Sequence, residues 1–487
     1  MINYLEISRI LFIVSLVLLP FVATPFGYTP YSISKTFFLS VTTFSSLILF
    51  YLTKPKEYKI PSVWFLVLLI LDFITNIQDF NLYLFPRYSE NFLISILIFF
   101  VIFLGINLFE NLNINKFLFF SSFIVIFPSA ADSLLSNLRT SGTLGQANFF
   151  GIYVTLIFLV VLKNFKEFSE ATNVKFLYFY LAIILIVFVK SASLVSIFGL
   201  VLGLFFLKKE LGSLSKNLYI FIGISFIVLL IFFGQIFVAK FQDIYNQIFD
   251  PERTIISDSF LIRKTLWIET LNIIQENPLK LMFGYGPNTF SSLFERNRGY
   301  KLATLSEENF LFDKPHNYYL ELVVSYGLPY TLVFIFIIIL AFKESKENRY
   351  LILPLVFFIF FNWLDIYFKM LFFIILVSSL KKYSVTIPTI KIFNFSAIAS
   401  MLSVVIVFSI LIYRDTSFFL GNNNYFYSYK IEDLEKIKTK DPVILIFYFQ
   451  YLDKEKGKNI YEYLIKNYPN NQAILFNLNE LFRNKTN

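Results

Sequence analysis

From residue 7 to residue 413 the chain alternates between long apolar blocks and short polar breaks. The blocks fall at roughly 7–23, 33–52, 62–75, 92–109, 117–131, 149–162, 176–189, 192–207, 218–239, 317–342, 351–363, 365–380 and 393–413. The blocks approach the roughly 17–25 residues that carry a helix across a hydrocarbon core, and some are short. The 351–380 block reads as a tight pair, because Asn362 and Asp365 interrupt it where ionised groups are expensive. The fold class expected is all-α, a polytopic helical membrane protein with about 12–13 transmembrane helices.

Two stretches leave this pattern. Residues 240–316 are hydrophilic, yet "DSFLIRKTLWIETLNIIQENP" within them repeats apolar residues at helical spacing (Phe260, Leu261, Leu266, Ile268, Leu271, Ile274) and stops at Pro278. That spacing predicts a folded helical cap. Residues 414–487 read as two or three short amphipathic helices around a "YPNN" turn, similar to one degenerate tetratricopeptide unit. The expected organisation is membrane helices over 1–239, a large loop or cap over 240–316, further membrane helices over 317–413, and a small helical domain over 414–487.

Composition sharpens the class. Hydrophobic residues make up 57% of the 487 and charged residues 15%, against about 45–50% and 25% in soluble domains. There is no cysteine, so disulfides and thiolate sites are excluded. With a single histidine the chain is poorly stocked for transition metals, and neither metal nor cofactor is expected. The N-terminal run follows Glu6 and Arg9 and lacks a small-residue cleavage site, so it reads as a retained first helix.

The net charge of +9 would suit nucleic acid, but its distribution points to the membrane. With the N-terminus inside and the helices alternating, the cytoplasmic loops are "TKPKEYK", "KNFKEFSEATNVK", "KKELGSLSK", "KESKENR" and "KKYSVTIPTIK". Each carries more Lys plus Arg than Asp plus Glu, as the positive-inside rule requires, while the short "ENLNINK" on the same side is balanced. Membrane lipids are the expected partner and nucleic acid is not. The cap, and by an odd number of spans the C-terminal domain, then fall outside.

Three polar constellations land on that outer face. "LRTSGTLGQANFFG" brings Arg139, Gln146 and Asn148 to the start of the sixth helix; Arg139 offers a fork matched to phosphate or carboxylate. In the cap, Arg263 and Trp267 share a helix face and "GYGPNTF" follows, whose Gly286 and Asn288 shape a turn able to present backbone N–H groups to an anion. "KPHNYYLE" places His316 at a helix start, with Asn317 and Glu321 four apart on one face. Taken singly, each fits a plain loop, connector or cap. Together they bring the only imidazole of the chain, the side chain best suited to proton transfer near neutral pH, to a face with two arginines.

"RTSGTLGQANFFG", "R…W" followed by "GYGPNTF", and "PHNYYLELVVSYGLP" resemble, in order and spacing, the successive motifs of the O-antigen ligase and polymerase superfamily. The resemblance covers roughly residues 130 to 380. It implies a metal-independent, inverting glycosyltransferase of the bacterial inner membrane with its site on the periplasmic side. Such an enzyme takes a glycan from an undecaprenyl-diphosphate carrier to a glycan or lipid-core acceptor, lipid A core for a ligase. Carried over by position, His316 would be the general base, Arg139 and Arg263 would hold the diphosphate, and Asn317, Gln146 and Asn148 would orient donor or base. Where relatives often carry Ser-Arg, this chain has Ser191-Ala192, and Lys190 would supply the charge without the bidentate geometry. An O-antigen polymerase or a protein O-oligosaccharyltransferase shares the same apparatus and differs in acceptor. A transporter or flippase of lipid-linked glycan would instead place charges within its spans, where Asp72, Asp365 and Lys369 are the candidates.

Overall fold

The computed structural model describes residues 3–23, 31–76, 92–109, 113–135, 140–208, 212, 216–249, 259–287, 289–299, 301–302, 305, 309–389, 391–419, 441–449 and 454–484. It is an all-α membrane protein. The membrane part is α1 (Tyr4–Leu18), α2 (Ser32–Leu52), α3 (Val63–Asn76), α4 (Phe92–Leu108), α5 (Ile114–Leu135), α6 (Ala147–Lys163), α7 (Phe165–Ala171), α8 (Val174–Ser191), α9 (Leu194–Phe206) and α10 (Lys216–Phe249). After the cap come α14 (Tyr318–Glu344), α15 (Arg349–Phe361), α16 (Ile366–Ser379) and α17 (Lys391–Phe419). Each of the thirteen apolar runs of the sequence lies on its own helix. Among the described residues six helices are long and apolar enough to cross a membrane, seven if α6 and α7, bent by 83°, form one span; α3, α4, α9 and α16 are apolar but shorter. The helix expected to end at 239 runs on to Phe249, so the excursion begins as a continuation of α10.

Burial follows the patterning. On α6 every residue from Phe149 to Leu162 is buried, as expected of a helix apolar all round, and it forms the centre of the bundle. Small residues let neighbouring helices approach it: a Cβ on Gly151 would lie 2.6 Å from Ser196 Oγ. Buried hydroxyls find partners within the bundle, Tyr153 with Ser121 at 3.2 Å and Tyr180 with Ser122.

Loops assigned to one face by their charge meet one another. In "TKPKEYK" and "KKYSVTIPTIK", β1 (Glu57–Ile60) pairs antiparallel with β2 (Val385–Pro388), Tyr58 opposite Ile387. Lys163 Nζ donates to Glu347 O at 2.7 Å, and Lys116 lies 2.8 Å from Glu167.

The cap comprises α11 (Ser259–Glu276), α12 (Pro278–Phe283) and α13 (Phe290–Asn297). Its core gathers Ile262, Leu266, Ile273, Phe290, Phe294 and Phe312. The helix predicted from "DSFLIRKTLWIETLNIIQENP" forms, but its buried face is turned: Ile262, Leu266 and Ile273 are inside, while Ile268 and Leu271 are exposed. The C-terminal helices α18 (Pro442–Phe449), α19 (Lys454–Asn467) and α20 (Gln472–Asn484) form their own apolar cluster. They dock on the cap, where Asn471 Nδ2 donates to Glu295 O at 2.6 Å. Cap and C-terminal helices therefore lie together.

Candidate functional site at the cap face

The site is assembled from three breaks in helical structure. The first precedes α6. A single 3-10 turn, Gly142–Leu144, ends at Gly145 with φ 78°, and Gln146 in extended conformation starts the helix. Tyr31 lies against Gly145, where a Cβ would come within 2.5 Å of its ring. Thr140 N–H donates to Lys190 O at 3.3 Å, so the backbone of Lys190 anchors this loop from the end of α8. Gln146 Oε1 is buried with no hydrogen-bond partner among the described residues. Arg139 lies outside the described residues.

The second break separates α15 from α16. Asn362 is fully buried; it donates to Phe358 O at 3.2 Å and accepts from Asn148 Nδ2 at 3.4 Å. Asp365 caps α16 by accepting from Phe368 N–H at 2.8 Å. It also lies within electrostatic reach of two buried cations, Lys35 and Lys369. Trp363 stands between, its ring 5.4 Å from Phe149 and 4.9 Å from His316.

The third break is the entry to α14. Asn317, not His316, caps that helix, accepting from Leu320 N–H at 3.1 Å. His316 precedes the cap in left-handed conformation, φ 53°, a region that costs an ordinary residue about 1–2 kcal/mol and that folds tolerate mainly at functional sites. The imidazole packs between Phe312 and Trp363, and its buried Nδ1 has no hydrogen-bond partner among the described residues. Burial, and then the charge of Arg263, push its pKa down from the ordinary 6.5 to about 3. The ring is therefore neutral at physiological pH. Glu321 lies one turn in and forms a buried ion pair with Lys314, so it braces the segment that carries His316.

The cap closes over this group. Arg263 on α11 lies near enough to His316 to act on it electrostatically, and Trp267, one turn on, packs against Phe360 and Phe361 at the end of α15. The "GYGPN" turn fastens cap to bundle: Tyr285 N–H donates to Val324 O at 2.7 Å and Gly286 N–H to Ser325 O at 3.1 Å. Both amides are thus committed, and the turn does not present them to an anion. Here α14 itself is interrupted, at Gly327 with φ 84°, opposite Gly284 with φ 68°. A Cβ at either position would drive into backbone of the other strand, Ser325 O or Met282 O. Asn288 lies outside the described residues.

The structure thus joins His316, Arg263 and Asn148 around Asn362 and Trp363, with Gln146 starting the helix that carries Asn148. It gives Asn317, Glu321, Gly286 and the Lys190 carbonyl bracing roles in the same region. Sequence reasoning passed over Lys35, whose Nζ donates to Thr143 O at 3.0 Å and Val22 O at 2.7 Å. The signal was there: a lysine opening an apolar run, on a face whose short inter-helix loops hold few lysines. Trp363 carried no such signal. Among the described residues no three His, Cys, Asp or Glu side chains converge as a metal site.

A family model described as O-Antigen ligase matches residues 176–335, from α8 into α14. Over these residues the chain is similar to the O-antigen ligase family. That segment holds Lys190, Arg263, Gly286 and the whole His316–Glu321 element, whereas Gln146, Asn148, Asn362 and Trp363 reach the site from outside it. The O-antigen ligase family groups membrane enzymes of glycosyltransferase type whose partners are lipid-linked glycans and membrane lipids. No curated protein and no solved structure matches the chain.

Proposed function

We propose that this protein transfers a glycan from an undecaprenyl-diphosphate carrier to an acceptor hydroxyl, with lipid A core as the acceptor, on the periplasmic face of the bacterial inner membrane. The observation that carries the reading is the environment of His316, a neutral imidazole whose buried Nδ1 has no partner among the described residues, near the positive charge of Arg263 and inside the O-antigen ligase segment. A neutral imidazole can take a proton, and a guanidinium beside it can receive an anionic leaving group.

In this reaction His316 accepts the proton of the acceptor hydroxyl as its oxygen attacks the anomeric carbon. The bond between that carbon and the phosphate oxygen breaks on the opposite side, so the configuration inverts. The electron pair leaves with the lipid diphosphate, whose charge Arg263 and Arg139 would stabilise. A diphosphate is already a good leaving group, and two arginines can neutralise it, so the mechanism requires no metal. The donor itself assists the base: its negative charge opposes Arg263 and raises the basicity of His316 when the complex forms.

The test is transfer by the purified protein, supplied with a lipid-linked glycan and candidate acceptors in EDTA, beside His316→Ala. Transfer that survives EDTA and is lost in His316→Ala is the expected result. Activity of His316→Ala equal to wild type would overturn the assignment of the base. The acceptor consumed separates ligase from polymerase, which would extend another carrier-linked repeat, and from protein glycosylation.

A further inference from the structure

We propose that the C-terminal helices position the loop bearing His316, and that Glu295 and Asn471 transmit this effect. The inference rests on His316 being the base, and it concerns residues that do not touch the substrate.

Residues 309–317 contain no helix or strand that would hold them in place. Their order comes from side chains on other elements. The fully buried carboxylate of Glu295, on α13 of the cap, accepts from Phe312 N–H through Oε1 at 2.8 Å. Through Oε2 it accepts from Asn471 Nδ2 at 2.8 Å and from Arg298 Nη1 at 3.3 Å. Arg298 donates in turn to Phe310 O at 2.8 Å, and its guanidinium lies over the Phe312 ring. The tail adds two further holds: Asn477 Nδ2 donates to Asn309 O at 2.8 Å, and Leu311 packs into the C-terminal apolar cluster.

The loop is therefore clamped at 309–312 from both sides, and the Phe312 ring rests against the His316 imidazole. His316 must hold a left-handed backbone, which the chain adopts only where its surroundings fix it. Among the described residues, Asn471 is the side chain of the C-terminal helices that hydrogen-bonds the carboxylate at the centre of this clamp. Removing its donor leaves the Glu295 carboxylate buried with one fewer hydrogen bond, which weakens its hold on Phe312 N–H.

Asn471→Asp in the full chain isolates this effect. Asn471 Oδ1 caps α20 by accepting from Ile474 N–H at 3.0 Å, and aspartate caps a helix as well as asparagine does. The substitution keeps the cap and the shape but turns a donor toward Glu295 into a second acceptor. Amide exchange across 309–316 is expected to quicken by about tenfold or more. The kcat for transfer should fall on the order of tenfold, as misplacement of a reacting group does, with KM for the donor within about twofold. Adding Glu295→Gln restores a donor–acceptor pair and should recover most of both changes.

Unchanged exchange and unchanged kcat in Asn471→Asp would overturn the proposal. So would a double variant that regains the wild-type melting temperature without regaining kcat, since the contact would then serve stability alone. His316→Ala, run alongside, keeps the two readings apart. If it retained transfer, the base assignment would fail while the exchange data still decided whether the tail holds the loop.

Discussion

The His316 imidazole stands edge-on against the indole of Trp363, ring centres 4.9 Å apart and planes at 87°. One ring comes from the entry to α14 and the other from the gap between α15 and α16, so the contact fixes the imidazole against the bundle. Trp363→Ala should leave the ring free to rotate and lower kcat by about 10–100-fold, while Trp363→Phe, which keeps an aromatic edge, should lose much less. Steady-state kinetics on both variants checks this.

Acid should act on activity and on stability through the same imidazole. With its pKa at about 3 in the free protein, kcat/KM should show no loss from His316 protonation between pH 7 and 5. Bound diphosphate favours the imidazolium, so the acid limb of kcat should lie at higher pH than that of kcat/KM. Stability has the following sign: the unfolded chain binds a proton near pH 6.5 and the folded chain only near 3, so stability falls as pH drops through that window. Melting curves from pH 7 to 4 should show a steeper decline in wild type than in His316→Gln.

The join between cap and α14 depends on two glycines. Gly284→Ala or Gly327→Ala adds a Cβ directed into the backbone of the opposing segment at a positive φ. Each should cost roughly 2 kcal/mol or more, seen as a lowered melting temperature in detergent and as faster proteolysis of the cap.

The buried pair of Lys314 and Glu321 should behave asymmetrically. Glu321→Leu alone leaves a buried ammonium and should destabilise by about 3–5 kcal/mol. Glu321→Leu with Lys314→Met removes both charges and should recover most of that loss. A double-mutant cycle on thermal unfolding measures the difference.

The membrane helices were legible in the chain because burial in a bilayer demands long unbroken apolar runs, and each of the thirteen found its helix. The break at Asn362 and Asp365 was legible for the same reason, as polar residues inside such a run. The cap helix was legible as a helix but not in its orientation: Ile268 and Leu271 are as apolar as Ile273, and only packing against α13 and α14 chose which to bury. His316 stood out because it is the single histidine, and the arginine and glycine motifs because their spacing matched a family.

The sequence by itself thus determined the class, the number of apolar runs and the family segment, since each depends on local composition or on short fixed spacings. The tertiary structure decided what surrounds the His316 imidazole and the loop that carries it. Trp363 reaches the ring from the break between α15 and α16, and the contacts that matter span long separations, 214 residues between Asn148 and Asn362 and 176 between Asn471 and Glu295. No local pattern encodes such pairings. They arise because buried polar groups must find partners wherever the packed helices bring them.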